Sequence, residues 1–278
     1  MPLAVALSPL EAFDAPFMQR ALLEILLLAI PGGLLGAWIV LRRLAFYTHA
    51  VGSAAFPGLV VAGPWGLPPQ LAAAGCALGL AGGLERLTRT RRVDADAAIG
   101  LLLVAALAGG AVLASDVYES GAGVDRLLFG TLLGVTDADL AITAGLAALA
   151  VLAAAALRRP WLATGFDPGS ARALGVPAVA ADRLLLIVVG LGVVAALDAV
   201  GALLVAVIFV VPAATVRLMA GTLSGLQAGS VALAAAEGTA GLYLARVLDI
   251  GPGPATAILG GTVFAGTAAV TAAGRGRG

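Results

Sequence analysis

Between Arg183 and Arg217 the chain runs for 33 residues with Asp198 as its only charge. A single helix of that length would extend about 50 Å, well beyond the roughly 30 Å hydrocarbon core of a bilayer. The stretch is therefore expected to fold back on itself. The charge and the glycine of Asp198-Ala199-Val200-Gly201 place the turn there. The rest of the chain has the same character, with 61% hydrophobic and only 12% charged residues in 278. Soluble domains hold about 45–50% apolar and about 25% charged residues. The sequence reads as an all-α polytopic membrane protein.

Apolar runs long enough to cross a bilayer give eight or nine spans. They fall at about 17–41, 44–61, 70–84, 97–114, 140–157, two within 183–218, 226–245 and 255–273. Pro64-Trp65-Gly66-Leu67-Pro68-Pro69 ends the second run, and 127–135 is apolar but too short to span. The whole of 1–278 is expected to form one transmembrane domain, with a long cytoplasmic segment at 158–183. All 16 basic residues are arginine. With nine spans and the N-terminus outside, 13 of them fall on the cytoplasmic side. Arg20, Arg126 and Arg246 remain outside, a strong positive-inside bias. The first run continues as a full span after a segment with no basic residue, so no cleavable signal peptide is expected. Zero net charge gives no global field for nucleic acid. Cys76, the only cysteine, has no intrachain disulfide partner.

Two ionisable residues fall well inside the expected spans. His49, the only histidine, lies in the second, and Glu237 lies near the middle of the eighth. Glu24 is about a turn and a half inside the first, within reach of the outer interface. An intramembrane charge is costly unless it has a partner or a function. Imidazole nitrogen with carboxylate oxygen is a plausible half-site for a divalent transition metal. It is equally a structural hydrogen bond between two packed helices. Ser53 lies four residues beyond His49, on the same helical face.

Several motifs carry a resemblance. Gly33, Gly36 and Val40-Leu41-Arg42-Arg43-Leu44-Ala45-Phe46, then Pro57-Gly58, form the first. Asp96 with Ile99-Gly100, and Leu128-Phe129-Gly130, follow. Two are more specific: Phe166-Asp167-Pro168 with Ala171-Arg172-Ala173-Leu174-Gly175-Val176, and Val200-Gly201-Ala202-Leu203-Leu204-Val205 with Pro212-Ala213-Ala214-Thr215. In order and spacing they resemble the membrane permeases of the zinc, manganese and iron family of ATP-binding-cassette importers. The resemblance implies a fold like that of the cobalamin and siderophore importers. It also implies a second permease copy, identical or not, a cytoplasmic ATPase and an extracytoplasmic metal-binding protein, in the lipid of a bacterial inner membrane. The transported divalent metal would be cargo, with no cofactor held permanently. The chain would not be an enzyme: without lysine it has no Walker A loop.

The resemblance also assigns roles. Asp167, Pro168, Ala171, Arg172, Ala173 and Gly175 would form a short cytoplasmic helix that docks on the ATPase. Asp167 would cap it, Pro168 would fit its first turn and Gly175 would end it. Ala171 and Ala173 would permit close approach. Apart from the resemblance, the topology puts Asp198 on the outer side, at the mouth of the path or in a plain solvated turn. The usual pattern places an Asp in the second span and a His four residues later; here those positions are His49 and Ser53. Glu237 is read as supplying the compensating carboxylate. The reading from another class is a secondary transporter or channel that uses His49 and Glu237 as a proton relay. The docking helix, for which such a carrier has no use, separates the two.

Overall fold

The computed structural model describes residues 13–89, 94–117, 132–173 and 175–275. Among them the regular structure is helical throughout. The helices are α1 (Pro16–Leu41), α2 (Ala45–Ala54), α3 (Phe56–Ala62), α4 (Pro69–Arg89), α5 (Ala95–Val112) and α6 (Asp137–Ala156). They continue with α7 (Arg158–Phe166), α8 (Pro168–Ala173), α9 (Ala178–Val200), α10 (Ala202–Arg217), α11 (Leu223–Leu248) and α12 (Pro252–Arg275). The Leu128-Phe129-Gly130 motif lies outside the described residues. Of the apolar run 127–135, a 3-10 turn at Leu132–Gly134 is described, and Leu132 and Val135 are buried.

Seven helical stretches are long and apolar enough to cross a membrane, α2 and α3 together counting as one. α4 and α10 stand where the sequence places two further spans but fall short for different reasons. α4 is rich in alanine and glycine and carries Glu85, Arg86 and Arg89 in its last turns. α10 has 16 residues, about 24 Å of helix.

The central element is α1, which packs against α11, α10 and α6. Between apolar helices in lipid, close packing takes over from hydrophobic burial, and small residues permit it. A Cβ at Gly33 would lie 2.3 Å from the Val231 backbone nitrogen, and one at Gly36 would lie 2.3 Å from the Phe209 carbonyl oxygen. A Cβ at Gly32 would come 3.0 Å from the Ile208 side chain and 3.1 Å from its carbonyl oxygen. Around this contact Leu28, Leu35, Trp38, Ile39 and Phe209 are fully buried. Gly241 does the same for α11 on α12, against Thr256.

The second span is broken. Pro57 enters at the start of α3. Lacking an N–H, it cannot bond the carbonyl of Ser53 four residues back, and the helix parts at Ala55. The fold-back after Arg183 is also sharper than its sequence indicates. α9 continues through Val200, and the reversal is confined to Gly201 at φ 76°. Asp198 therefore lies in the last turn of α9 and not in the turn itself. Ala199 and Val200 are compatible with helix, whereas a positive φ is free only to glycine.

The glycine contacts yield a stability test. Gly33→Ala and Gly36→Ala should each destabilise the detergent-solubilised protein by about 1–3 kcal/mol through overpacking. Gly79, where an added Cβ meets nothing within 4 Å, should tolerate alanine with no loss in thermal melting.

Candidate functional site

α2 is tied to α9 by the Tyr47 hydroxyl, which donates to the Leu186 carbonyl at 3.0 Å; within its own first turn Thr48 Oγ1 donates to the Leu44 carbonyl at 2.9 Å. Tyr47, Ala50, Val51 and Ala54 are buried against neighbouring helices. That anchoring fixes the face that bears His49 and Ser53, both half-buried. The face ends at the Pro57 break, where the Ser53 carbonyl has lost its helical donor. His49 makes no hydrogen bond or ion pair among the described residues.

Glu237 lies elsewhere in the bundle. It is 4% exposed, beside Gly260 of α12, where a Cβ would come 3.1 Å from Glu237 Oε2 and 3.3 Å from Val211 of α10. Its Oε1 is buried without a hydrogen-bond partner among the described residues. No hydrogen bond joins His49 to Glu237. Their common neighbour is α10, which packs against α2, α11 and α12. Among the described residues, no group of three or more His, Cys, Asp or Glu is placed to hold a metal ion.

Glu24 differs from its sequence reading. It does not reach toward an interface; it is 1% exposed and accepts a 2.7 Å hydrogen bond from Thr143 Oγ1 of α6. Its second oxygen has no partner among the described residues. An acid inside an apolar run was signal enough to mark it. Its partner is 119 residues away and leaves no trace in the local pattern.

On the arginine-rich face, the segment 158–183 holds two short helices. Asp167 caps α8: its Oδ1 accepts from the Gly169 N–H at 2.9 Å, and Oδ2 accepts from the Ser170 hydroxyl. These bonds, led by that of the Ser170 hydroxyl, lower the Asp167 pKa. Pro168 begins the helix. Gly175 at φ 77°, with the Val176 N–H on the Ala171 carbonyl at 3.0 Å, closes it. The two alanines are not equivalent. Ala171 is 1% exposed and faces the protein, whereas Ala173 is exposed. Phe166, just before the cap, is 88% exposed. Arg172 stands on the same helix between the alanines.

Arg42 ties this region to the core. Its guanidinium donates to the Trp161 carbonyl at 3.0 Å, to Thr164 Oγ1 at 2.9 Å and to Asp182. Trp161 in turn donates from Nε1 to the Ala181 carbonyl at 2.9 Å and meets Trp38 edge to face at 5.4 Å. The next residue along α9, Arg183, pairs with both oxygens of Glu85 on α4. Removing the Arg42 fork should leave these acceptors unpaired. Arg42→Met is expected to lower stability by about 1–3 kcal/mol in thermal melting, and Arg42→Lys to restore only part, because one ammonium cannot reproduce the fork.

These features define a polytopic helical membrane protein with a lone imidazole on a broken span and a capped helix on its arginine-rich face. Residues 14–271 match the ABC 3 transport family, and the chain belongs to that family. It is similar to the manganese transport system membrane protein MntC of Halalkalibacterium halodurans, 31% identical over 249 residues that cover 90% of this chain and 85% of that protein. It is also similar to the chelated iron transport system membrane protein YfeD of Yersinia pestis, 30% identical over 202 residues, 73% of this chain and 68% of that one. Among solved structures it is similar to PsaBC from Streptococcus pneumoniae, determined in complex with Fab. The TM-score is 0.83 at 27% identity, over 93% of this chain and 94% of that one.

Proposed function

We propose that the chain is the permease subunit of a bacterial importer for a divalent transition metal, with manganese the first candidate cargo and iron or zinc the others. The observation that carries this reading is the near full-length likeness in sequence to a manganese transport system membrane protein, beside a fold shared with PsaBC. The N-terminus lies outside and the arginine-rich face is cytoplasmic. A separate ATPase supplies the energy, an extracytoplasmic protein delivers the ion, and a second permease copy completes the path, in the inner membrane.

His49 and Ser53 are the permease's contribution to the path, and Glu237 adds a carboxylate. Two or three weak ligands with water suit an ion in passage better than a closed four-ligand shell. Oxygen and imidazole donors suit manganese, while imidazole is also compatible with zinc and iron. Three variants test the assignment: His49→Ala, Glu237→Gln and the pair together. In proteoliposomes with the ATPase, each single change should reduce metal uptake at least about tenfold, and the double should add little, as for residues acting on one ion. Unchanged uptake in Glu237→Gln would remove Glu237 from the path; unchanged uptake in His49→Ala would remove the path itself. Uptake driven by a proton gradient without the ATPase would favour the carrier reading.

The docking helix is tested on the side that faces outward. Because Ala171 is buried, a charge there would disturb the fold and reveal nothing about docking. Phe166→Glu with Ala173→Glu should leave the melting temperature of the permease unchanged and cut ATP-driven uptake by about tenfold or more, the scale of losing an exposed aromatic anchor. Normal coupled uptake in that double variant would sink the docking role.

A further inference from the structure

Ala181, Asp182 and Arg183 are consecutive near the start of α9, and each holds a different helix. The Ala181 carbonyl accepts the Trp161 indole N–H of α7 at 2.9 Å. Asp182 accepts the Arg42 guanidinium from the end of α1. Arg183 donates to both oxygens of Glu85 in α4, Nε lying 2.9 Å from Oε2. Successive residues on a helix point about 100° apart, so neighbours of opposite charge can grip elements on different sides. Arg42 is seated against bare backbone: a Cβ at Gly165 of α7 would come 3.2 Å from its Cδ.

Each charged grip leads to one half of the broken second span. Beyond Arg42 the chain turns at Arg43 and enters α2 at Ala45, so Asp182 holds the root of α2. Glu85 lies in the last turns of α4, and α4 packs along α3 as well as α9. The α3–α4 contact is close. A Cβ at Gly58 would lie 2.4 Å from the Ala72 carbonyl oxygen and 2.9 Å from Cys76 Sγ. Backbones so near each other leave α3 little freedom to move apart from α4. Between the two halves, at Ala55, the ladder lacks the bond that Pro57 cannot donate. Helices bend at proline and where the ladder is interrupted.

On its other side, α9 begins four residues after α8. Gly175 and the 3.0 Å bond from the Val176 N–H to the Ala171 carbonyl close that connection into a tight turn. We propose that Asp182 and Arg183 are positioning residues that pass a displacement of α8 to both halves of the second span. Asp182 acts through Arg42 on α2, and Arg183 acts through Glu85 and α4 on α3, so the span bends at Ala55. This role presupposes α8 as the docking helix proposed above. Folding alone gives the Arg183–Glu85 pair little to do. Both side chains are partly exposed, and such pairs add little to stability.

The pair is tested in the full complex with the ATPase and the delivery protein, in proteoliposomes. Asp182 is left intact, because the Arg42 fork also carries stability. Arg183→Gln and Glu85→Gln should each keep the melting temperature and the rate of ATP hydrolysis. The metal taken up per ATP hydrolysed should fall about fivefold, a typical effect on coupling of a residue that touches neither ligand. The exchanged pair, Glu85→Arg with Arg183→Glu, should restore the ratio. A merely structural pair would lower the melting temperature and leave the ratio alone. The bend is measured with spin labels on Phe46→Cys and Trp65→Cys, in a Cys76→Ser background. Both positions are exposed and lie on opposite sides of the break. ATP binding to the complex should change their separation, and Arg183→Gln should abolish that change. An unaltered uptake ratio in the single variants, no recovery in the exchanged pair, or a separation that ATP leaves constant or shifts equally in Arg183→Gln would each overturn the role. The spin-label reading involves no cargo, so failure here and failure of the importer assignment are separable.

Discussion

Helix α1 can occupy the middle of the bundle only because Gly32, Gly33 and Gly36 present bare backbone to α10 and α11. In lipid there is little gain from hiding one apolar surface against another, so helices associate where their backbones can come close. The Phe209 carbonyl and the Val231 amide occupy the space that side chains on α1 would otherwise fill. Once α10 and α11 are fixed on α1, the remaining placements follow. α10 supplies the wall on which α2 leans, and α11 carries Glu237 to α12. Two close backbone contacts on one face of α1 thus position both halves of the candidate path.

The same helix links that path to the arginine-rich face. α1 ends at Leu41, and Arg42 immediately reaches across to α7 and α9. Arg43 then turns the chain in a left-handed conformation, φ 57°, and α2 begins two residues later. A displacement of α8 would therefore meet, through α7 and Arg42, the root of the helix that bears His49. The connection consists of directional hydrogen bonds, and its partners have discrete positions to gain or lose. That property distinguishes a lever from a merely adjacent surface.

The parts of this arrangement that were legible in the sequence depend on local rules. Apolar run lengths gave the spans, and Asp167, Pro168 and Gly175 gave a capped short helix at the right residues. Pro57 stood in plain view, but its consequence, a span parted at Ala55, depends on how the two halves then pack. The remainder was illegible because its partners lie far apart in the chain. Arg42 and Asp182 are 140 residues apart, and Glu24 and Thr143 are 119 apart. Nothing in a window of helical length marks either pair. The alanines of α8 show a finer limit. Composition made Ala171 and Ala173 alike, but a two-residue step on a helix turns about 200°, so one faces the protein and the other faces away.

The buried acids bear on why a permease would tolerate unsatisfied oxygens at all. Glu24 and Glu237 each keep one carboxyl oxygen without a partner among the described residues. In a static core such atoms are a net loss. In a transporter the comparison must include every state of the cycle, and a group paired in one arrangement is left bare in another. Glu237 lies where α10, α11 and α12 meet. α12 is the least enclosed of the candidate spans, with 6% of its apolar window buried inside the protein. That exposure is of its outer face, since on the inner side α12 sits close on α11, where Gly241 meets Thr256. Of the two acids, Glu24 is fastened to Thr143 inside the α1–α6 contact and is a polar pin on one side of α1, whereas the buried Oε1 of Glu237 has no partner among the described residues to hold it.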